Sequence, residues 1–251
     1  MTKIALITGG SRGLGKNMAI ALAKKGIDVM LSYNTNKEAA DSVVNEIQSL
    51  GRKARAFQLN VSDYNALDAF VSEVTRWLSK EYGSPRFDFL INNAGTALYA
   101  PITEVTEEQM DTVINIHYKA VFFLTQKTLP YINDGGGIVN VSSGLTRIVI
   151  PGPSVYGSMK AAVETLTRYM AKELGPRKIR VNVIAPGAIE TDFGGGRLRD
   201  NKELNTQIAS TTALGRVGLP DDIGGVVAFL CTEEARWVNA QRIEVSGGQA
   251  I

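Results

Sequence analysis

The chain has 251 residues, of which 27 are Lys or Arg and 25 are Asp or Glu, and its formal net charge at pH 7 is +2. No segment concentrates the basic residues, so the charge pattern does not favour nucleic-acid binding. With a single histidine and a single cysteine the chain has no cluster for a zinc site of the usual kind and cannot form an internal disulfide, so we expect no metal.

Apolar runs alternate with amphipathic segments from one end of the chain to the other. The runs that predict strands are KIALIT, DVMLSY, ARAFQL, FDFLIN, GIVNV, RVNVIA and RIEV. The segments that predict helices span 15–25, 37–50, 65–82, 107–132, 155–174 and 221–232. Strands that alternate with helices of this length are typical of βαβ units. Continuous apolar strands are typical of a parallel sheet buried on both faces, so we predict one α/β domain.

A glycine-rich turn, TGGSRGLG, follows the first predicted strand. Gly9 permits a tight turn, Gly13 lets backbone approach a pyrophosphate, and Gly15 permits close packing of helix on strand. The helix that follows offers free N–H groups and partial positive charge to a phosphate. Glycines can also serve a simple turn, but this position between strand and helix predicts nucleotide binding.

The stretch VSSGLTRIVIPGPSVYGSMK follows the fifth predicted strand and enters a helix. Tyr156 and Lys160 are four residues apart and so share one helix face. A nearby ammonium lowers the pKa of a phenol, which would let Tyr156 exchange a proton with a carbonyl oxygen at neutral pH. Ser143, favoured over Ser142 by its spacing to Tyr156, would orient that carbonyl. The alternative is an exposed tyrosine and a solvated lysine.

In this order the motifs resemble the short-chain dehydrogenase/reductase family over nearly the whole chain. They are TGGSRGLG, NNAG at 92–95, Asn115, Ser143, the Tyr156–Lys160 pair and Pro186-Gly187. The resemblance implies a single-domain Rossmann-like doubly wound sheet, of about seven parallel strands with helices on both faces, over 1–251. It divides this domain into a nucleotide-binding part at about 1–140 and a catalytic and substrate part at about 141–251, with a lid at about 190–218.

The resemblance also implies the site residues. Asn115 would hold water in a proton relay beside Lys160, with a buried, satisfied amide as the alternative. The catalytic set is then Asn115, Ser143, Tyr156 and Lys160. The cofactor-binding residues are Gly9, Ser11, Arg12, Gly13, Leu14, Gly15, Tyr33, Asn34, Thr35, Asn60, Val61, Asn92, Asn93, Ala94, Gly95, Tyr156, Lys160, Pro186, Gly187, Ile189 and Thr191.

The end of the second strand, LSYNTNK, indicates which cofactor is used. An acidic residue there would bond the adenosine ribose and favour NAD. This chain has Tyr33, Asn34 and Thr35 instead, with no carboxylate to repel a 2′-phosphate. Arg12 and Lys37 could supply cations, unless they are only solvated surface charges. We expect NADP(H).

Together these features predict NADPH-dependent, reversible reduction of a ketone or aldehyde to an alcohol. A 3-oxoacyl-carrier-protein reductase is one alternative, disfavoured because LPYINDGGG places an acid where cations would dock an acidic carrier. A catalytically silent NADP-binding regulator is another. A serine hydrolase would need a base, and only His117 is available.

The expected partner is a small carbonyl or alcohol substrate, with no nucleic acid and no membrane. No apolar run approaches the ~20 residues that a membrane helix needs. No leader sequence is evident, so we expect a cytoplasmic protein. The resemblance implies a homotetramer or a homodimer.

Overall fold

The computed structural model describes residues 2–251, and its seven strands form one sheet in which every neighbouring pair is parallel. The strands are β1 (Ile4–Ile7), β2 (Asp28–Tyr33), β3 (Ala54–Gln58), β4 (Phe87–Asn92), β5 (Ile132–Val141), β6 (Arg180–Pro186) and β7 (Arg242–Val245). Their order is β3-β2-β1-β4-β5-β6-β7. The order reverses between β1 and β4, and doubly wound sheets bind ligands beyond the carboxyl ends of their strands at such a point.

Nine α-helices connect or follow these strands within residues 2–251. They are α1 (Gly13–Lys24), α2 (Lys37–Ser49), α3 (Ala66–Tyr82), α4 (Glu107–Ile114), α5 (Ala120–Thr128), α6 (Ser154–Leu174), α7 (Arg197–Asp200), α8 (Lys202–Ser210) and α9 (Asp221–Leu230). A π-helical segment, Asn115–Lys119, joins α4 to α5. None of these helices is long and apolar enough to cross a membrane.

The helix predicted at 107–132 is therefore three consecutive helical segments, and the predicted end lies beyond the end that the structure shows. It begins where expected, because Thr106 and Gln109 form a capping box. α5 ends at Thr128, a short 3₁₀ turn carries Pro130, and β5 already begins at Ile132. Proline lacks the N–H that a continuing helix requires, so the chain leaves the helix there.

The core lies in two layers, one on each face of the sheet. Ala5 and Ile7 pack into a cluster that includes the apolar sides of α1 and α9. Ile4 and Leu6 pack into a second cluster with side chains of α3, α5 and α6. Neighbouring residues of a strand point to opposite faces, so one short strand contributes to both layers. The predicted doubly wound α/β fold is confirmed.

Candidate active site

The glycine-rich turn lies at the carboxyl end of β1 and leads directly into α1. Gly9 and Gly13 have φ of +66° and +54°, a backbone region that favours glycine. A Cβ on Gly15 would lie 2.0 Å from the Gly9 carbonyl oxygen and 2.7 Å from Nδ2 of Asn93. The first turn of α1 contains no acidic residue. Ser32 accepts hydrogen bonds from the N–H groups of Gly9 and Gly10, so the open cradle consists of the backbone N–H groups that follow them at the start of α1, and it fits a pyrophosphate.

Hydrogen bonds join the second motif, Asn92 to Gly95, to this turn. The backbone N–H groups of Asn93 and Ala94 both donate to Oγ1 of Thr8, each over 3.0 Å. The Asn93 amide donates to the Thr8 and Gly9 carbonyls at 2.8 and 3.1 Å. The Asn92 side chain instead donates to Asn140, at 2.9 Å and in the protein interior. Asn93 thus shapes the cradle, whereas the Asn92 amide is turned away from it.

The residues after β2 form the adenosine side of the cradle. Tyr33 is buried, and Asn34 and Thr35 are exposed. Arg12 is exposed at the start of α1 and forms no ion pair with the residues that the structure describes. Lys37 is paired with Asp41 one helical turn later, at 2.5 Å. Arg12 is therefore the better-placed cation for a 2′-phosphate.

The remaining cofactor candidates lie around the same crevice. Asn60 is exposed, and its Oδ1 accepts hydrogen bonds from the backbone and hydroxyl of Ser62, so this amide shapes a turn. Pro186 ends β6. The chain that follows is held by a hydrogen bond from the Ala188 N–H to Oε1 of Gln249, at 2.9 Å. A Cβ on Gly13 would lie 3.6 Å from the Thr191 side chain, so Thr191 borders the glycine turn. Ser11, Leu14, Val61, Gly187 and Ile189 are partly buried near these segments.

Ser143, Tyr156 and Lys160 converge beyond the end of β5. Tyr156 lies in the first turn of α6, with 7% of its surface exposed, and Lys160 lies one turn later, with 5% exposed. The Lys160 Nζ donates to the Val141 carbonyl over 2.7 Å and lies 5.6 Å from the Tyr156 ring centroid. The Ser143 hydroxyl is near enough to the Tyr156 phenol to lower its pKa. The structure thus brings together three of the four predicted catalytic residues.

The neighbouring serine has a different environment. Ser142 is buried and donates its hydroxyl hydrogen bond to Glu164 on α6, over 2.7 Å. Its side chain therefore joins the strand to the helix. Ser143 is the serine that faces the phenol.

Burial governs the ionisation of the tyrosine and the lysine. It raises the pKa of Tyr156 above its ordinary value, and the neighbouring Ser143 hydroxyl only partly opposes the rise. It also lowers the pKa of Lys160 from 10.5 to about 7. The sequence predicted a lowered pKa for Tyr156, and the protein by itself has the opposite direction. Desolvation disfavours both charged forms here, so Lys160 carries less positive charge than its reference value suggests.

The fourth predicted residue, Asn115, has no side-chain hydrogen bond to this cluster. It is the first residue of the π segment, and its side chain makes no hydrogen bond with residues 2–251. His117, two residues later, lies edge-on against Tyr156 with ring centroids 5.0 Å apart. Residues two apart on a helix point to different sides, so with His117 against the phenol we expect the Asn115 side chain to point elsewhere. From the sequence, His117 was considered only as a candidate base for a hydrolase. The available signal was that it is the single histidine of the chain.

The mouth of the site is apolar and aromatic. The Phe193 ring lies 5.9 Å from the Tyr156 ring and is 44% exposed. Tyr99 is also exposed, and a Cβ on Gly194 would lie 3.5 Å from its ring. Gly194, Gly195 and Gly196 have φ of +64°, +76° and +76°, a run in which glycine is required. This segment leads from the site into α7 and α8, within the lid that the sequence predicted at 190–218.

The geometry fits a dinucleotide and a carbonyl group better than a metal. Within residues 2–251, no group of three or more His, Cys, Asp or Glu side chains could hold a metal ion. The glycine cradle leads along the ends of β1 and β4 toward the three polar side chains. A hydrogen-bond donor, a proton carrier and a buried amine at one point can bind and protonate a carbonyl oxygen.

Comparison with known proteins gives matches that agree with the chemistry of this site. Residues 9–250 match the family described as Enoyl-(Acyl carrier protein) reductase. An uncharacterized oxidoreductase of Methylorubrum extorquens is 39% identical over 98% of this chain and 97% of its own length. The hydroxynaphthalene reductase-like protein Arp2 of Metarhizium brunneum is 38% identical over 98% of this chain and 94% of its own.

Solved structures agree in fold along the whole length. LugOII, described as a promiscuous reductase that catalyses keto-reduction at C1 during lugdunomycin biosynthesis, superposes with a TM-score of 0.93 at 37% identity, covering 98% of this chain and 96% of its own. The angucycline C-6 ketoreductase LanV with bound NADP gives 0.94 at 35% identity, covering 99% and 95%. The chain is therefore an oxidoreductase and belongs to the short-chain dehydrogenase/reductase family.

Proposed function

We propose that this protein is an NADPH-dependent reductase that converts a ketone or aldehyde to an alcohol, reversibly. The observation that carries the proposal is the convergence of Ser143, Tyr156 and Lys160 beside the glycine cradle. The related ketoreductases LugOII and LanV, the second with NADP bound, support both the reaction class and the cofactor.

The cofactor would lie along the ends of the central strands. The backbone N–H groups at the end of the glycine turn and at the start of α1 would bind its pyrophosphate. Arg12 would bind its 2′-phosphate, which no carboxylate at the end of β2 repels. When bound, it supplies the hydride that reduces the carbonyl carbon.

The chain's own residues would act on the carbonyl oxygen. Ser143 donates a hydrogen bond that holds this oxygen in place. Tyr156 gives its phenolic proton to the same oxygen as negative charge develops there, and it removes that proton in the reverse direction. Lys160, buried one turn below, binds the nicotinamide ribose and, when protonated, stabilises the phenolate that Tyr156 leaves.

The test is the Tyr156→Phe variant, assayed with a panel of ketones and aldehydes by NADPH absorbance. We expect unchanged folding and NADPH binding with loss of turnover by at least about 100-fold, since proton transfer contributes about 10²–10⁴. Tyr169→Phe is the matched control, because Tyr169 is exposed on the same helix. Substantial turnover in Tyr156→Phe would refute the acid–base role, and equal rates with NADH would refute the cofactor preference.

Action on an acyl carrier protein is a weaker candidate. The description of the matched family names an acyl carrier protein, which favours such a substrate. However, Arg177, whose guanidinium lies beside the LPYINDGGG segment, is engaged in other contacts. Arg177 pairs with Asp134 at 2.7 Å and donates to the Leu129 and Ile132 carbonyls. This guanidinium is therefore not free to dock an acidic carrier. A 3-oxoacyl thioester in the substrate panel, turned over faster than simple ketones, would reverse this ranking.

We also propose a cytoplasmic homotetramer or homodimer. Two exposed apolar side chains on the consecutive helices α4 and α5, Met110 and Phe122, support self-association, because exposed apolar surface can mark a contact surface. Sedimentation velocity would measure the assembly, and a monomer at micromolar concentration would refute it.

A further inference from the structure

His117 is wedged between the catalytic tyrosine and the NNAG segment. Only 1% of its surface is exposed. Its ring stands at 88° to the Tyr156 ring, an edge-to-face contact with centroids 5.0 Å apart. On its other side, a Cβ on Gly95 would lie 2.8 Å from its Cε1 atom. Gly95 therefore leaves the space that the imidazole fills, and the imidazole in turn limits how the tyrosine ring can move.

One imidazole nitrogen is committed to the backbone. Nε2 lies 2.8 Å from the Thr96 carbonyl oxygen and 3.2 Å from the Thr96 nitrogen. If Nε2 carries the proton, it donates to the carbonyl over the shorter of these distances. If it does not, it accepts a hydrogen bond from the Thr96 N–H over 3.2 Å, but its lone pair then lies only 2.8 Å from the carbonyl oxygen, which is repulsive. The protonated Nε2 is thus favoured, and Nδ1 then carries a lone pair that can only accept a hydrogen bond.

The other nitrogen has no partner. Nδ1 is the one buried side-chain nitrogen or oxygen without a hydrogen bond within residues 2–251. Buried polar atoms in native proteins are paired with protein groups or with ordered water, so an unpaired one requires an explanation, and an ordered water is one such explanation. A histidine whose role was only to fill the core would carry this unpaired buried acceptor at a cost in stability.

Lys160 supplies the complementary donor. Its ammonium has three N–H groups, and the bond to the Val141 carbonyl uses one of them. The two side chains interact electrostatically: burial, and then the charge of Lys160, lower the pKa of His117 to about 3. The imidazole is therefore neutral at physiological pH. Tyr156 and Lys160 are the titratable groups that face it, and neither offers it a counter-charge.

We propose that His117 is the fourth side chain of the site, a positioning residue that fixes Tyr156 through its ring edge and Thr96 through Nε2. Its Nδ1 accepts a hydrogen bond from a water molecule that in turn accepts one from the Lys160 Nζ. One water placed in this way gives a hydrogen-bond partner to both the His117 Nδ1 and the Lys160 Nζ, and it keeps the lysine and the tyrosine in a fixed relative position. No proton is transferred to the imidazole. The inference rests on the proposed reductase function and extends it.

Three substitutions separate the parts of this role. His117→Phe keeps the ring edge against Tyr156 and removes both nitrogens. His117→Asn restores a carbonyl acceptor near the position of Nδ1, and His117→Gln restores an N–H donor that can reach the Thr96 carbonyl. Lys119→Ala, an exposed position in the same π segment, is the matched control.

Each variant is measured for thermal unfolding, NADPH affinity by fluorescence, and kcat and KM with the best substrate of the panel. We expect His117→Phe to fold, to bind NADPH within about twofold of the parent, and to lose about 10- to 100-fold in kcat with little change in KM, because misplacement of a reacting group costs about that much. His117→Asn should recover at least part of this loss, and Lys119→Ala should behave as the parent.

A second readout does not depend on turnover. The ultraviolet absorbance of phenolate is followed with pH in the parent and in Tyr156→Phe, and the difference isolates the pKa of Tyr156. The same difference, taken in the His117→Phe background, should give a shifted pKa, because the bridging water and the lysine are displaced. If His117→Phe does not fold, the Asn and Gln variants carry the same comparison.

The outcomes are separable. If the parent reduces no carbonyl, the proposed function fails. If the parent is active but His117→Phe keeps its kcat and the pKa of Tyr156, the role of His117 alone is refuted. A larger kcat loss in Asn115→Ala than in His117→Phe would also overturn it, since the fourth side chain would then be the asparagine.

Discussion

Replacing Lys160 by methionine should stabilise the protein at neutral pH and not at alkaline pH. The lysine is buried, and its pKa falls from 10.5 to about 7 on folding. This lowering of the pKa corresponds to a cost of about 5 kcal/mol for keeping the lysine protonated in the folded state. Methionine has a similar length and carries no charge, so it removes this cost. It also leaves the Val141 carbonyl without its donor, which costs about 1–3 kcal/mol.

The pH dependence identifies the lysine as the cause. Between pH 7 and pH 10.5 the unfolded chain keeps the lysine proton while the folded chain has lost it. Stability rises with pH wherever the unfolded state binds more protons, so the parent gains about 1.4 kcal/mol per pH unit across this window from Lys160 alone. Below pH 7 both states are protonated and the full cost is present. The advantage of Lys160→Met, about 2–4 kcal/mol at pH 7, should therefore vanish and then reverse as the pH approaches 10.

The assay is urea unfolding of both proteins at one protein concentration, repeated across this pH range. Only the difference between the two curves is interpreted, because all other titrating groups are common to both proteins. Lys172→Met is the matched control, since Lys172 is exposed on the same helix. A difference between parent and Lys160→Met that stays constant from pH 7 to pH 10.5 would refute the reasoning.

Two further predictions test the cofactor cradle and the backbone. Arg12→Ala should raise KM for NADPH about tenfold and leave KM for NADH nearly unchanged, because an exposed guanidinium binds the extra phosphate and little else; equal changes in both values, measured by initial rates, would contradict it. Ala240→Gly should stabilise the protein by about 0.5–1 kcal/mol, since Ala240 has φ of +59° and glycine adopts that region without strain. Ala161→Gly, within α6, should lower the unfolding free energy by about the same amount, and a loss of stability in both variants would show that Ala240 is not strained.

Most of the fold followed from local patterns in the sequence. Continuous apolar runs such as DVMLSY predicted buried parallel strands, and β2 spans that run from Asp28 to Tyr33. The threonine and glutamine that form the capping box fixed the start of α4 at Glu107. These features depend on neighbours a few residues apart, which a sequence displays directly. The break after Thr128 depends on one proline and was overlooked.

The features that were missed depend on contacts between distant parts of the chain. The raised pKa of Tyr156 comes from burial by elements that no local pattern specifies. Lys37 was a candidate phosphate ligand until the structure paired it with Asp41. The serine, tyrosine and lysine were predictable because a motif spaces them, whereas His117 becomes significant only once the fold sets it against Tyr156.

The π segment has a consequence for comparing and engineering such helices. Its hydrogen bonds close after five residues and not four, so Asn115–Lys119 amounts to a one-residue insertion in an otherwise continuous helix. One residue is worth about 100° of rotation in an α-helix. Helix faces assigned by counting residues forward from α4 therefore differ by about 100° from faces assigned by counting backward from α5. This rotation sets which side chain of the π segment contacts Tyr156. Removing one residue of the segment would therefore turn His117 away from Tyr156, although the sequences of both helices would be unchanged.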